Sequence, residues 1–163
     1  MSADSDRHRD LLSRPLVAVA NDEDAEETAR AFAPYADGEV LAVSVVEKAG
    51  GAVDKAPMEG VEAEAEAGFE ILRERLGSVE TEVRYGTDVV ETLLAAARDH
   101  DASAIVFTPR EGGRLVRFLT GDVALRLVTE ADRPVVSLPV HDAPEPVGDD
   151  ADATGADADE DTT

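Results

Sequence analysis

Short apolar runs alternate with helix-period stretches along the whole chain. Leu16-Val-Ala-Val-Ala20 reads as a buried strand. It is followed by Asn21-Asp-Glu-Asp24, rich in cap residues and first-turn acids. A helix is predicted from about residue 23 to 36, with Ala25, Ala29, Phe32 and Ala36 on one stripe. Val40 to Val46 is the next strand, and residues 48–58, punctuated by Gly and Pro, read as a loop. Val61, Ala65, Phe69, Leu72 and Leu76 share a helical spacing over 59–76, and Gly77 ends that helix. Val79, Thr81, Val83 and Tyr85 alternate as a strand with one face partly exposed. Asp88 opens a helix carrying Val89, Leu93 and Ala97. Ala104 to Thr108 is a short buried strand, a helix is expected over 122–131, and Pro134 to Leu138 forms the last strand.

The order β-α-β-α-β-α-β-α-β, with consecutive apolar residues in the strands, implies a parallel sheet covered on both faces. Right-handed crossovers make it a doubly wound, Rossmann-like α/β fold of five strands. The ligand crevice is then expected at the carboxyl ends of the strands. That places the loops 20–24, 46–58, 86–88 and 108–122 at the candidate site. No G-x-x-x-x-G-K-[ST] run follows the first strand, which excludes a Walker-type phosphate loop. The first turn, Ala20 to Asp24, holds no glycine, which excludes the G-x-G-x-x-G dinucleotide fingerprint. A phosphorylation receiver would need a Lys after the fifth strand, where Ser137 to His141 offers none.

Charge changes this picture at the termini and in one internal segment. The chain of 163 residues carries 37 Asp or Glu against 15 Lys or Arg, a net charge of −22. Residues 141–163 hold nine of the acids and no Lys or Arg, so they read as a disordered acidic tail. Residues 1–14 read as a flexible leader, which leaves 15–140 as the folded domain. Arg110, Arg114, Arg117, Arg126 and Arg133 fall within 110–133 beside only four acids, so this stretch escapes the acidic bias. The acidic balance argues against nucleic acid as a partner. No run of 18 apolar residues exists, so no membrane insertion is expected, and the N-terminus lacks a signal core, which points to the cytoplasm. The absence of Cys removes disulfides and thiol chemistry.

The stretch Phe118-Leu-Thr-Gly-Asp-Val123 followed by Arg133-Pro-Val-Val136, the turn after Val17-Ala-Val-Ala-Asn-Asp22 and the element order together resemble the universal stress protein family over nearly all of 14–140. The acid-rich, Lys-poor composition, with two lysines and 27 alanines, also resembles that of proteins from halophilic archaea. The family resemblance implies a stress-response module whose nucleotide-binding members carry G-x2-G-x9-G-[ST] after the fourth strand. Anchored on Gly121, the first glycine position is Thr108, the second Glu111 and the Ser/Thr position Asp122. Gly112 and Gly113 fall one and two residues late. Asp122 reads as an N-cap of the last helix, with its carboxylate where a phosphate would sit. Two unit charges about 4 Å apart repel by roughly 4 kcal/mol at an effective dielectric of 20. The phosphate loop is therefore degraded, and weak or absent ATP binding is expected, with no cofactor required. In the alternative, Arg110 and Arg114 with Gly112-Gly113 hold an anion in a shifted loop.

The resemblance maps the adenine and ribose end of the site to Ala20, Asp22, Val45 and Phe107. Asp22 reads equally as the cap of the first helix. Catalysis is not expected. His8, His100 and His141 lie in the leader, at a helix end and at the tail junction, and no acid pair or metal-ligand spacing stands out. The chain thus reads as a non-enzymatic regulatory module acting through an unidentified protein partner or ligand. It is expected to be a homodimer through the last strand, 134–140, whose Val135, Val136, Leu138 and Val140 would otherwise line an exposed edge.

Overall fold

The strands that the alternation pattern predicts lie side by side in one all-parallel sheet with the order β3-β2-β1-β4-β5. The computed structural model describes residues 10–48, 55–109 and 121–139, with the side chains of 55–58 and 121 excepted. The strands are β1 Pro15–Ala18, β2 Val40–Glu47, β3 Val79–Gly86, β4 Ala104–Phe107 and β5 Val135–Ser137. The helices are α1 Asp22–Phe32, α2 Lys55–Leu76, α3 Val89–Asp99 and α4 Gly121–Glu130, and a 3₁₀ turn, Ala33–Tyr35, extends α1. Residues 1–9 of the expected leader, 1–14, and the acidic tail, 141–163, lie outside the described residues.

Period-two alternation divides the core into two layers. Leu16, Ala18, Leu41, Val43, Val45, Ile105 and Phe107 face α3 and Leu127 of α4. Val17, Val19, Val40, Ala42 and Val106 face Ala25, Ala29 and Phe32 of α1 and Ala65, Phe69 and Leu72 of α2. Each central strand therefore buries both faces, which is why its apolar residues run consecutively. The register is in step across the centre, with Leu16 opposite both Leu41 and Ile105.

Several boundaries differ from expectation: β1 ends at Ala18 and not Ala20, and α1 gives way to the 3₁₀ turn after Phe32 where the pattern predicts a helix to about 36. Helix α2 starts at Lys55 and takes in four residues read as loop. Pro57 is its third residue, where a missing N–H costs no intrahelical bond. Strand β5 spans three residues instead of five, because Pro134 precedes it and Pro139 closes the segment. At the end of α2, Gly77 adopts φ +86 and its N–H bonds back to Arg73 O at 3.0 Å, a left-handed stop that needs glycine.

Candidate functional site

Strand β1 leads outward to β2 and β3 on one side, and the chain then crosses to β4 and β5 on the other. The order therefore reverses between β1 and β4, and their carboxyl ends frame the crevice. The turn after β1 is built by reciprocal capping. Asn21, with extended φ −153 and ψ −176, accepts from the Asp24 N–H at 2.9 Å. The Asp24 carboxylate accepts in return from the Ala20 N–H at 2.7 Å. The capping role expected of Asp22 thus belongs to Asn21. Asp22 is the first helical residue, is exposed, and accepts from the neighbouring Glu23 N–H at 2.9 Å. Asp24, 2% exposed, is the acid that the sequence reading passed over. Gly68 of α2 allows this turn to pack closely, since a Cβ there would lie 3.2 Å from Asn21 O.

On the α3 side of the sheet, Ala18, Val19, Ala20, Val43, Val45, Val89 and Leu93 line an apolar hollow of about 20 Å³. The fold thus brings Ala20 and Val45 together. Phe107 is 2% exposed and packs in the same apolar layer without lining the hollow. Asp22 sits apart on the opposite layer, at the start of α1. The α3 wall is positioned by Asp88, which accepts from the Glu91 N–H at 2.9 Å, while its own carbonyl accepts from the Thr92 hydroxyl at 2.6 Å. The Arg126 guanidinium, with the Glu91 amide, holds the Asp88 carboxyl below the usual range.

The phosphate side leaves β4 at Thr108. Its side chain is fully buried and turned under α1, where its hydroxyl shares a 2.9 Å hydrogen bond with the equally buried Thr28. Pro109 follows and has no N–H to offer an anion, a loss legible in the sequence that the motif reading overlooked. Gly121 opens α4, and Asp122 is its exposed second residue, so Asp122 lies inside the helix and is not the N-cap it was read as. Arg110, Glu111, Gly112, Gly113, Arg114 and Arg117 lie outside the described residues.

His100 caps the far end of α3, at the amino end of the sheet, with Nε2 at 2.7 Å from Glu82 Oε2. It is remote from the crevice. Among the described residues no cluster of three His, Asp or Glu side chains is arranged to hold a metal ion.

The Universal stress protein family model matches residues 13–139. The chain belongs to the universal stress protein family. The fold agrees. A universal stress protein from Archaeoglobus fulgidus superposes with a TM-score of 0.61 at 22% identity, covering 77% of this chain and 97% of that one. The structure of the universal stress protein from that organism in complex with dAMP gives 0.58 at 23% identity, covering 77% and 96%. A family protein from Arabidopsis thaliana with AMP bound gives 0.52 at 16% identity, covering 83% and 97%. No curated protein matches the chain.

Proposed function

We propose that this universal stress protein is a non-enzymatic stress-response module whose crevice receives the base end of an adenine nucleotide and grips the phosphates weakly or not at all. The observation that carries this reading is Thr108. At the first glycine position of the family loop its side chain is buried against Thr28, and Pro109 behind it supplies no amide. The base side, by contrast, keeps an apolar hollow between Ala20 and Val45. The dAMP and AMP complexes of the structural neighbours support an adenine ligand in principle. In this reading ATP is no required cofactor, and the working partner is a protein or a second copy of the chain joined through the last strand. The acidic composition fits a cytoplasm of high salt.

Titration of ATP at high potassium chloride tests the phosphate half of the proposal. Millimolar or undetectable binding is expected, and micromolar affinity overturns it. Micromolar affinity that vanishes in Arg110→Ala would instead favour a nucleotide sensor, in which Arg110 and Arg114 beside Gly112-Gly113 replace the lost loop contacts.

A further inference from the structure

The hollow between Ala20 and Val45 has about 20 Å³ of room, close to what a single water needs. The hollow opens to solvent, so a planar base can rest at its mouth but is seated fully inside only if a wall yields. Two walls, β1 and β2, are central strands buried on both faces. The third is the first turn and a half of α3, through Val89 and Leu93. This is the one wall that lies outside the sheet; Val90, Leu93 and Leu94 seat it in the core, and Asp88 ties its first turn to α4.

Asp88 divides its carboxylate between two tasks. Oδ1 accepts from the Glu91 N–H and caps α3, while Oδ2 accepts from Arg126 Nη1 of α4 at 2.8 Å. Arg126 is itself held in place by Glu130, one helical turn on, through Nε at 3.0 Å and Nη2 at 3.3 Å. The guanidinium is therefore presented to Asp88 in a fixed orientation. The side chains of Arg126 and Asp88 are 39% and 31% exposed, so the pair meets solvent and can open without stranding a buried charge. Helix α4 begins at Gly121, the retained glycine of the phosphate loop. The ion pair thus connects the helix that follows that loop to the wall of the base hollow.

We propose that the Arg126–Asp88 ion pair is a latch that holds the first turn of α3 against β1 and β2, and that Arg126 is a positioning residue governing entry of a base into the hollow. The proposal rests on the reading that the hollow receives the base end of a nucleotide. It differs from a purely structural role in the sign of its effect. Loss of a structural contact weakens ligand binding, whereas loss of a latch makes the hollow easier to open and strengthens it.

The experiment compares the full chain with Arg126→Gln, Asp88→Asn and Arg126→Lys. Two readouts are taken, amide exchange at Val89–Leu93 and titration with adenosine. Arg126→Gln and Asp88→Asn are expected to speed exchange at these amides by about two- to fivefold, the scale of one exposed ion pair, and to tighten adenosine by a similar factor. Exchange at Ala65–Leu72 of α2 stays unchanged, and Arg126→Lys returns the α3 amides to within about twofold of the parent. Unchanged exchange at Val89–Leu93 in both charge-removing variants overturns the latch. Faster exchange with weaker adenosine binding overturns it as well and leaves Arg126 a structural residue. Faster exchange with no adenosine binding to any of the proteins supports the latch and overturns the nucleotide reading of the hollow.

Discussion

The two edges of the sheet are built on opposite plans. Strand β3 is eight residues long and lines one face with Glu80, Glu82 and Arg84. Those side chains are cross-linked. Arg84 meets Glu82 at 2.9 Å and Asp99 at 2.8 Å, and His100 Nε2 lies 2.7 Å from Glu82. On its other face Thr81 accepts from Arg73 of α2 at 2.8 Å, and the Tyr85 hydroxyl donates to Glu62. Strand β5 has three residues, Val135, Val136 and Ser137, and none is charged. Helix α4, which leads into it, exposes Leu125 at 63% and Val128 at 61%, one turn apart. Inward-pointing charge on an edge strand discourages a further strand, whereas exposed apolar side chains invite a partner. The contrast supports assembly at the β5 edge, with a second copy as the occupant. The shortness of β5 limits strand pairing, so side-chain area on α4 and β5 would carry most of that contact.

The largest effect expected from breaking the charged edge comes at its last residue. A Cβ on Gly86 would lie 2.0 Å from Thr92 Oγ1 and 3.2 Å from Thr92 Cβ. Gly86→Ala is expected to destabilise the fold by about 1–3 kcal/mol through overpacking. Thr92→Ala in the same chain should recover part of that loss, because it removes the clashing oxygen. Denaturant midpoints of the two single variants and the double variant measure this, and additive losses would show that the two sites do not touch.

A smaller effect on stability, but a decisive one on assembly, is expected at the apolar edge. Leu125→Ser together with Val128→Ser changes exposed positions and should alter the stability of a single copy by roughly 0.5 kcal/mol per site or less. Light scattering at high salt should then report a monomer where the parent reports a dimer. A parent that is itself monomeric defeats assembly at this edge, and a double variant that stays dimeric moves the contact away from α4.

These edges also show what the sequence can and cannot disclose. The alternation of Val79, Thr81, Val83 and Tyr85 was enough to mark β3 as a half-exposed strand, and the consecutive apolar runs marked a parallel sheet covered on both faces. Local pattern decides these features, so they are legible. The start of α2 was not, because Pro57 signals a loop when read locally and is tolerated in a first turn. Within the site, four consecutive polar residues, Asn21 to Asp24, offered several caps, and only backbone conformation singled out Asn21 and drew Asp24 inside. The Thr28–Thr108 bond joins residues 80 apart, and Arg126–Asp88 joins residues 38 apart. No periodicity records such pairs, since they follow from the sheet order and the packing of helices on it.

The smallest predicted effect concerns the corner that leads into β5, where the ions of this edge are gathered. Arg133 Nη1 donates to Ala97 O and Ala102 O, each at 2.7 Å, tying the corner to the end of α3. Asp132 bridges Arg133 Nε at 3.0 Å and Arg98 Nε at 3.1 Å. Arg133, and then Arg98, hold its carboxyl down at about 2, from an ordinary value of 3.8. A carboxyl lowered on folding contributes stability that is fully present above its unfolded value and is lost as the pH falls through the folded one. Asp132 is half exposed, so its contribution should stay below about 1 kcal/mol. Asp132→Asn should therefore lower the denaturant midpoint slightly at neutral pH, with the difference from the parent closing between about pH 4 and pH 2. A difference that persists unchanged through this range would mean that Asp132 acts by its shape and neutral hydrogen bonds. The β5 corner would then be held by the Arg133 carbonyl contacts.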